Sequence, residues 1–233
     1  EWHSSHFGDY CVIFPEDEPE LYLPDHADKL LDFATAKGAF AIPHHVAYQQ
    51  GWRGANWKHF RGGEVTPVVE IFSEHGCSEV DRAPLPYIRH SMGGRATANT
   101  IQPQLAKGLR FGFIASSDDH RGYPGAYGEG VLGVWAKELS SAGLFEALRA
   151  RRTYAATGDR IAVDFQINGH PMGSELPATA ERQIDVHVEG QDSLQMIELI
   201  RNGRVIERHF PEDEGVTPTT LPERVKCRIQ YGW

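Results

Sequence analysis

Short apolar runs alternate with helically spaced ones through the first 158 residues, and the spacing then switches to strict alternation. Residues 24–37 place Leu30, Leu31, Phe33 and Ala34 on helical spacing, with Asp25 as N-cap and Gly38 as the stop. Residues 100–107, ended by Gly108, and residues 140–152, capped by Ser140 or Ser141, predict two further helices. Between them, apolar runs at 11–14, 39–43, 67–72, 109–115 and 131–135 predict buried strands. Beyond residue 158, residues 161–167, 184–188 and 225–231 alternate with period two. Residues 193–201 and 204–210 flank Asn202-Gly203, the strongest short hairpin signal.

Continuous apolar strands separated by helices predict a parallel sheet or barrel over residues 1–158. The alternating remainder, 159–233, predicts an all-β, immunoglobulin-like sandwich, with a loop at Asp213-Glu214-Gly215 and Pro218. The 233 residues are 40% hydrophobic and 24% charged, which excludes disorder and low complexity. No apolar run reaches the length that spans a bilayer, so a soluble protein is expected. The chain starts at Glu1 and ends in mid-strand, so both ends read as cut, and the compartment stays open. The net charge of -9 argues against bulk nucleic-acid binding. Cys11, Cys77 and Cys227 are scattered without a CxxC, so they form neither a disulfide framework nor a thiolate metal site.

Histidine changes the picture. The chain has 12, and most fall in the first 120 residues. Three predicted strands run into metal-capable residues: His44-His45, Ser73-Glu74-His75, and Ser117-Asp118-Asp119-His120. In α/β folds the site lies at the carboxyl ends of strands, so the repetition carries more weight than any single histidine. Period-two geometry turns Asp118 and His120 toward one ion and Asp119 away. By the same rule one of His44 and His45 reaches that ion. Imidazole with carboxylate suits zinc, manganese or iron. Glu70 is a carboxylate inside an apolar run and needs a partner, either the site or an arginine such as Arg53, Arg61 or Arg110. Glu1, His3, His6 and Asp9 crowd the amino terminus as ligands or as surface polar groups. The arginines at 149, 151 and 152 offset a helix dipole or meet an anion. The stretch 122–130 is a glycine-rich wall with Tyr123 and Tyr127, and 49–63, with Trp52 and Trp57, a candidate lid. No GxSxG is present and neither Cys11 nor Cys77 has an activated setting.

These motifs resemble a known superfamily. Ser117-Asp118-Asp119-His120 after an apolar strand is similar to the Ser-Asp-x-His ending of the polymerase and histidinol phosphatase (PHP) superfamily. Ile42-Pro43-His44-His45 resembles its histidine strand. The stretches 69–76, 116–125 and 148–158 are similar to a PHP-like family catalogued as domain of unknown function 3604. The resemblance implies the carboxyl-terminal portion of a distorted (β/α)7 barrel, lacking the His-x-His strand that opens the family, followed by the small immunoglobulin-like segment. It implies two or three divalent ions (Zn, Mn or Fe). Position by position, it assigns metal to Glu1, His6, His44 or its alternate His45, Asp118 and His120, with Asp9 or Cys11 competing for the place of His6.

The expected function is a metal-dependent hydrolase, a phosphoesterase using metal-activated water on a small-molecule ester. Arg121, Tyr123 and His75 are the expected substrate contacts. A barrel cut in this way would be inactive by itself, and the expectation concerns the parent protein. Two alternatives stand beside it: a metal-dependent amide or carbon–nitrogen hydrolase of amidohydrolase type, and a non-catalytic binding protein stabilised by metal. Oligomeric state is open.

Overall fold

The computed structural model describes residues 1–17, 19–81, 83–85, 94–125 and 129–211. The expected strand at 225–231, the loop at 213–218, Tyr127 and Cys227 lie outside them. The chain divides into two compact units, Glu1–Glu189 and Gly190–Trp233.

In the first unit β1 (Asp9–Ile13) leads into α1 (Ala27–Ala36) and β2 (Phe40–His44). β3 (Val68–Ser73) turns into the two-residue β4 (Gly76–Cys77). α2 (Ile101–Ala106), β5 (Gly112–Ala115), β6 (Val131–Val134), α3 (Ser141–Arg149) and β7 (Thr153–Ala156) follow. β8 (Ala162–Ile167), β9 (His170–Pro171) and β10 (Ile184–Glu189) complete the unit. The second unit contains β11 (Ile197–Arg201) and β12 (Arg204–His209).

Local chemistry explains these boundaries. α1 buries Ala27, Leu30, Leu31 and Ala34 on one face. Its N-cap is His26, whose ring accepts from the Asp28 N–H, in place of the expected Asp25. Gly38 takes φ 64 just past the end, as the expected stop requires. Ser140 caps α3 by accepting from the Gly143 N–H at 3.0 Å. Asn202 and Gly203 both take positive φ, which matches the twist of the β11–β12 hairpin.

The expected barrel is overturned. The strands form small sheets that are mostly antiparallel: β1–β2, β6–β7, β11–β12, β10–β8–β9, and β4–β3–β5. Among the described residues only β3 and β5 pair in parallel, and no (β/α)7 ring closes. Among the described residues the expected sandwich segment forms the three-stranded sheet β10–β8–β9 and the hairpin β11–β12. The reason is physical. An apolar run reports burial on both faces but carries no information on strand direction, and a helix between two strands does not force them parallel. β1 and β2 are separated by α1 and β6 and β7 by α3, yet both pairs run antiparallel.

The core gathers around these strands. Trp2, Tyr10, Leu30, Leu31 and Ala41 pack under α1, while Phe40, Ile42, Val68, Ile114 and Leu148 pack between β2, β3, β5 and α3. Fully burying such side chains contributes about 1.5–3 kcal/mol each. That packing fixes one end of β1, β2, β3 and β5, where the polar residues collect.

Candidate metal centre

Antiparallel pairing sets Asp9, the first residue of β1, opposite His44, the last of β2. β3 and β5 run in parallel into His75 and Asp118. Four chain segments thus deliver metal-capable side chains to one place. Glu1, Asp9, His44 and His45 form one group with donor atoms within 4.8 Å of one another, and His45, His75 and Asp118 form a second. His45 belongs to both.

The contacts are close. His44 Nε2 lies 2.6 Å from Glu1 Oε1. His45 Nε2 lies 3.5 Å from Asp9 Oδ2, and His75 Nε2 lies 3.0 Å from Asp118 Oδ2. Ligands bound at 2.0–2.2 Å around one tetrahedral ion stand about 3.3 Å apart, so the 3.5 and 3.0 Å separations suit a shared cation, while the His44–Glu1 hydrogen bond would open to admit one. His45 Nδ1 is buried without a hydrogen-bond partner among the described residues. A buried, unpaired imidazole nitrogen is costly unless something binds it. The donor set of imidazole and carboxylate therefore fits a divalent ion on its own geometry.

His44 and His45 both reach the cluster, against the expectation that one would turn away. Their ring centroids are 3.8 Å apart. Alternation holds only inside a strand, and His45 lies past the end of β2 with φ 32, which swings its ring back. Asp118 is also left-handed, at φ 55. Such strain in non-glycine residues concentrates where surrounding structure enforces a functional geometry.

Electrostatics sharpen the site. The bond from His44 is the main reason that the Glu1 carboxyl falls to about 2. Burial alone would depress His44, but the Glu1 carboxylate and the nearby Glu70 and Asp118 charges hold it above its usual value. Burial, aided by the neighbouring His44 and His75, pushes His45 down to about 2, so it is neutral and ligand-ready. Burial works to raise Asp118, yet the His75 hydrogen bond and the neighbouring imidazoles keep it below its ordinary value.

Supporting groups hold this shell. Among the described residues Glu70 meets no arginine. Its Oε1 accepts from the His45 backbone N–H at 3.0 Å and its Oε2 bonds the Ser116 hydroxyl. Burial raises its pKa. Arg53 Nε donates to Asp9 Oδ2 at 2.5 Å. The Tyr48 hydroxyl shares a 2.7 Å hydrogen bond with His75 Nδ1, which fixes the ring. Tyr48 is fully buried, while Trp52 is exposed and Trp57 bonds the Asn99 carbonyl oxygen.

The structure leaves other expected residues outside. His6 is exposed, and Asp9, 1% exposed, takes the position at the cluster. His120 is 75% exposed in its side chain, with Nδ1 2.8 Å from the Asp118 carbonyl oxygen. β5 ends at Ala115, so the period-two argument that paired His120 with Asp118 no longer applies there. Arg121 is exposed and Tyr123 is 74% exposed; neither touches the cluster. His75, expected at the substrate, sits inside the cluster. Cys11 is pushed up to about 12 by burial, and burial also raises Cys77, so both thiols are inert. Asp9 was already an alternative to His6 in the sequence, and the register of β1 on β2 sets it opposite His44.

Comparison with known proteins adds kinship without chemistry. Residues 126–168 match a family described as "Protein of unknown function (DUF3604)", which supports a relationship to that family. An uncharacterized protein of Chlamydia muridarum is 35% identical over 219 residues, covering 87% of this chain and 33% of the relative. Another of Chlamydia trachomatis serovar D is 34% identical over 219 residues, with the same coverage of 87% and 33%. One of Chlamydia pneumoniae is 34% identical over 168 residues, 66% of this chain and 27% of the relative. The chain spans about a third of the length of the first two. No solved structure matches it. Among the described residues no helix is long and apolar enough to cross a membrane.

Proposed function

We propose that the cluster binds one or two divalent cations and that the protein is a metal-dependent hydrolase, with phosphoesters as its substrate class. One observation carries the metal reading: two donor groups from distant parts of the chain share His45, whose buried Nδ1 is unpaired. The substrate class rests on the resemblance to PHP proteins at 42–45 and 117–120.

Glu1, Asp9 and His44 would hold one cation with His45, and His75 and Asp118 would complete a second set. A cation held there supplies Lewis-acid chemistry, lowering the pKa of water and polarising a phosphoryl oxygen. The chain's own groups do the positioning. Glu70 pins the His45 backbone and Tyr48 orients His75. The part-exposed Arg53 guanidinium, anchored on Asp9, offers charge to an anionic substrate at the rim. Carboxylates from Glu1, Asp9 and Asp118 against Arg53, the one arginine at the cluster among the described residues, give the site negative charge, which favours a cation over an anion as first occupant.

The test is elemental analysis of purified protein after loading with zinc, manganese or iron, compared with a His45→Ala variant. At least one equivalent of metal, lost in the variant, followed by metal-dependent hydrolysis of a phosphoester panel, is expected. A folded protein that takes up no metal would refute the reading.

A further inference from the structure

A second polar feature lies at the opposite ends of β3 and β5. Pro67 precedes β3 and Leu109 and Arg110 precede β5; all three line a cavity of about 560 Å3. That volume is in the range of small-molecule sites. Arg61, Arg110, Arg149 and Arg151 line it, together with Glu64 and Glu175. Arg61 is already paired outside the cavity, with Asp32 and with Asp28 at 3.7 Å, so the cations available to an occupant are Arg110, Arg149 and Arg151.

Glu175 shows what the cavity accepts. Its Oε1 receives a hydrogen bond from Arg151 Nη2 at 2.9 Å, and its Oε2 bonds Arg110 Nη1. One carboxylate is thus held by two guanidinium groups from different elements. Arg149 lies with its guanidinium 5.6 Å from the Phe40 ring centroid, and Arg61 is held by Asp32, so the other two cations are braced in the wall.

Arg151 is unusual for its place. It follows the Ala150 C-cap of α3 with φ 59, a conformation in which glycine is the default. Gly112 and Gly173 crowd it: a Cβ on Gly112 would lie 2.9 Å from the Arg151 Cβ, and one on Gly173 would lie 2.5 Å from the Arg151 carbonyl oxygen. An arginine thus occupies, between two glycines, a backbone position that glycine would adopt without strain. The α3 dipole accounts for positive charge at this helix end, but not for the cavity or for Arg110 on another element.

We propose that this cavity binds a small, multiply charged oxyanion, a phosphate ester or a polycarboxylate, and that Glu175 is the internal carboxylate it displaces. Guanidinium pairs recognise both anions through parallel charge-assisted hydrogen bonds. The site is separate from the metal centre, which occupies the other ends of the same strands.

Isothermal titration of the metal-free full chain with pyrophosphate and, separately, with citrate tests this at low ionic strength. One equivalent of at least one probe binds, and the preferred probe identifies phosphate or carboxylate as the ligand chemistry. Glu175→Gln tightens binding, because it removes the competing charge. Arg110→Ala and Arg151→Gly each weaken it about tenfold or more, the scale of a lost charge-assisted hydrogen bond. Arg151→Gly melts no lower than the parent, so its loss of binding is not a folding defect. The His45→Ala variant binds the anion as before, which separates this site from the metal reading. Binding of neither probe, or equal binding by the parent, Arg151→Gly and Glu175→Gln, would overturn the proposal.

Discussion

Asp9 and His44 face each other across the β1–β2 pair, so the start of one strand and the end of the other meet at the same edge. This antiparallel register brings a carboxylate that precedes the histidines by a whole helix into their company. A parallel pair would have set Asp9 at the far end of the sheet.

The cluster distinguishes His75 from His120. His75→Ala is expected to lower metal content by a measurable fraction of an equivalent, because His75 Nε2 is 3.0 Å from Asp118 Oδ2 inside the donor group. His120→Ala is expected to leave it unchanged, since that ring is exposed and caps a carbonyl. Elemental analysis of both variants decides; the reverse pattern would return His120 to the site.

Metal affinity should climb with pH. His44 keeps its proton above its ordinary value of 6.5 in the metal-free chain, and a cation must displace that proton. Affinity therefore rises as pH passes through the raised His44 value and levels off above it. Glu1 and His45, both near 2, stay in their binding forms throughout that range. Calorimetry in buffers of different ionisation enthalpy should register proton release on binding.

Glu70 makes the metal-free fold pH-sensitive in the opposite sense to a paired carboxylate. Its folded pKa is raised above 4.5, so the fold favours the protonated form. Stability is unaffected below 4.5, declines as pH rises from there through the folded value, and is flat beyond it. Glu70→Gln should remove that decline while keeping partners for His45 and Ser116. Glu70→Ala should cost about 2–4 kcal/mol by orphaning both. Denaturant titrations across pH check each point.

Gly54 is expected to tolerate no side chain. A Cβ there would lie 1.7 Å from the Tyr48 carbonyl oxygen, so Gly54→Ala must displace backbone. The neighbouring Arg53 would lose its hold on Asp9, and stability should drop by about 2 kcal/mol or more. A melting curve with a metal titration reads both effects.

Much of the local structure was legible. Gly38 ending α1, Ser140 capping α3 and the Asn202-Gly203 turn all follow from short-range chemistry that the chain carries on its face. The buried runs that became β2, β3 and β5 were visible too. Their direction was not, because burial on both faces looks the same in parallel and antiparallel sheets. His44, His45 and Asp118 were identified as strand-end donors, but the left-handed turn at His45 brings both histidines to the cluster, where period-two reasoning allows one. The choice of Asp9 over His6, and the arginine cavity, depend on contacts between distant segments, which no window along the chain contains.

The donors stand far apart along the chain, from Glu1 to Asp118, and meet only through β1 on β2 and β5 on β3. Such non-local pairings form late, after the entropy of closing long loops has been overcome. A cation in the centre would then act as a latch on topology: its full donor set exists only in a chain that has completed both pairings, so bound metal would oppose the opening of either one. Amide exchange in β1–β2 and in β3–β5 would thus slow together when metal is bound, although the two pairs lie in different sheets.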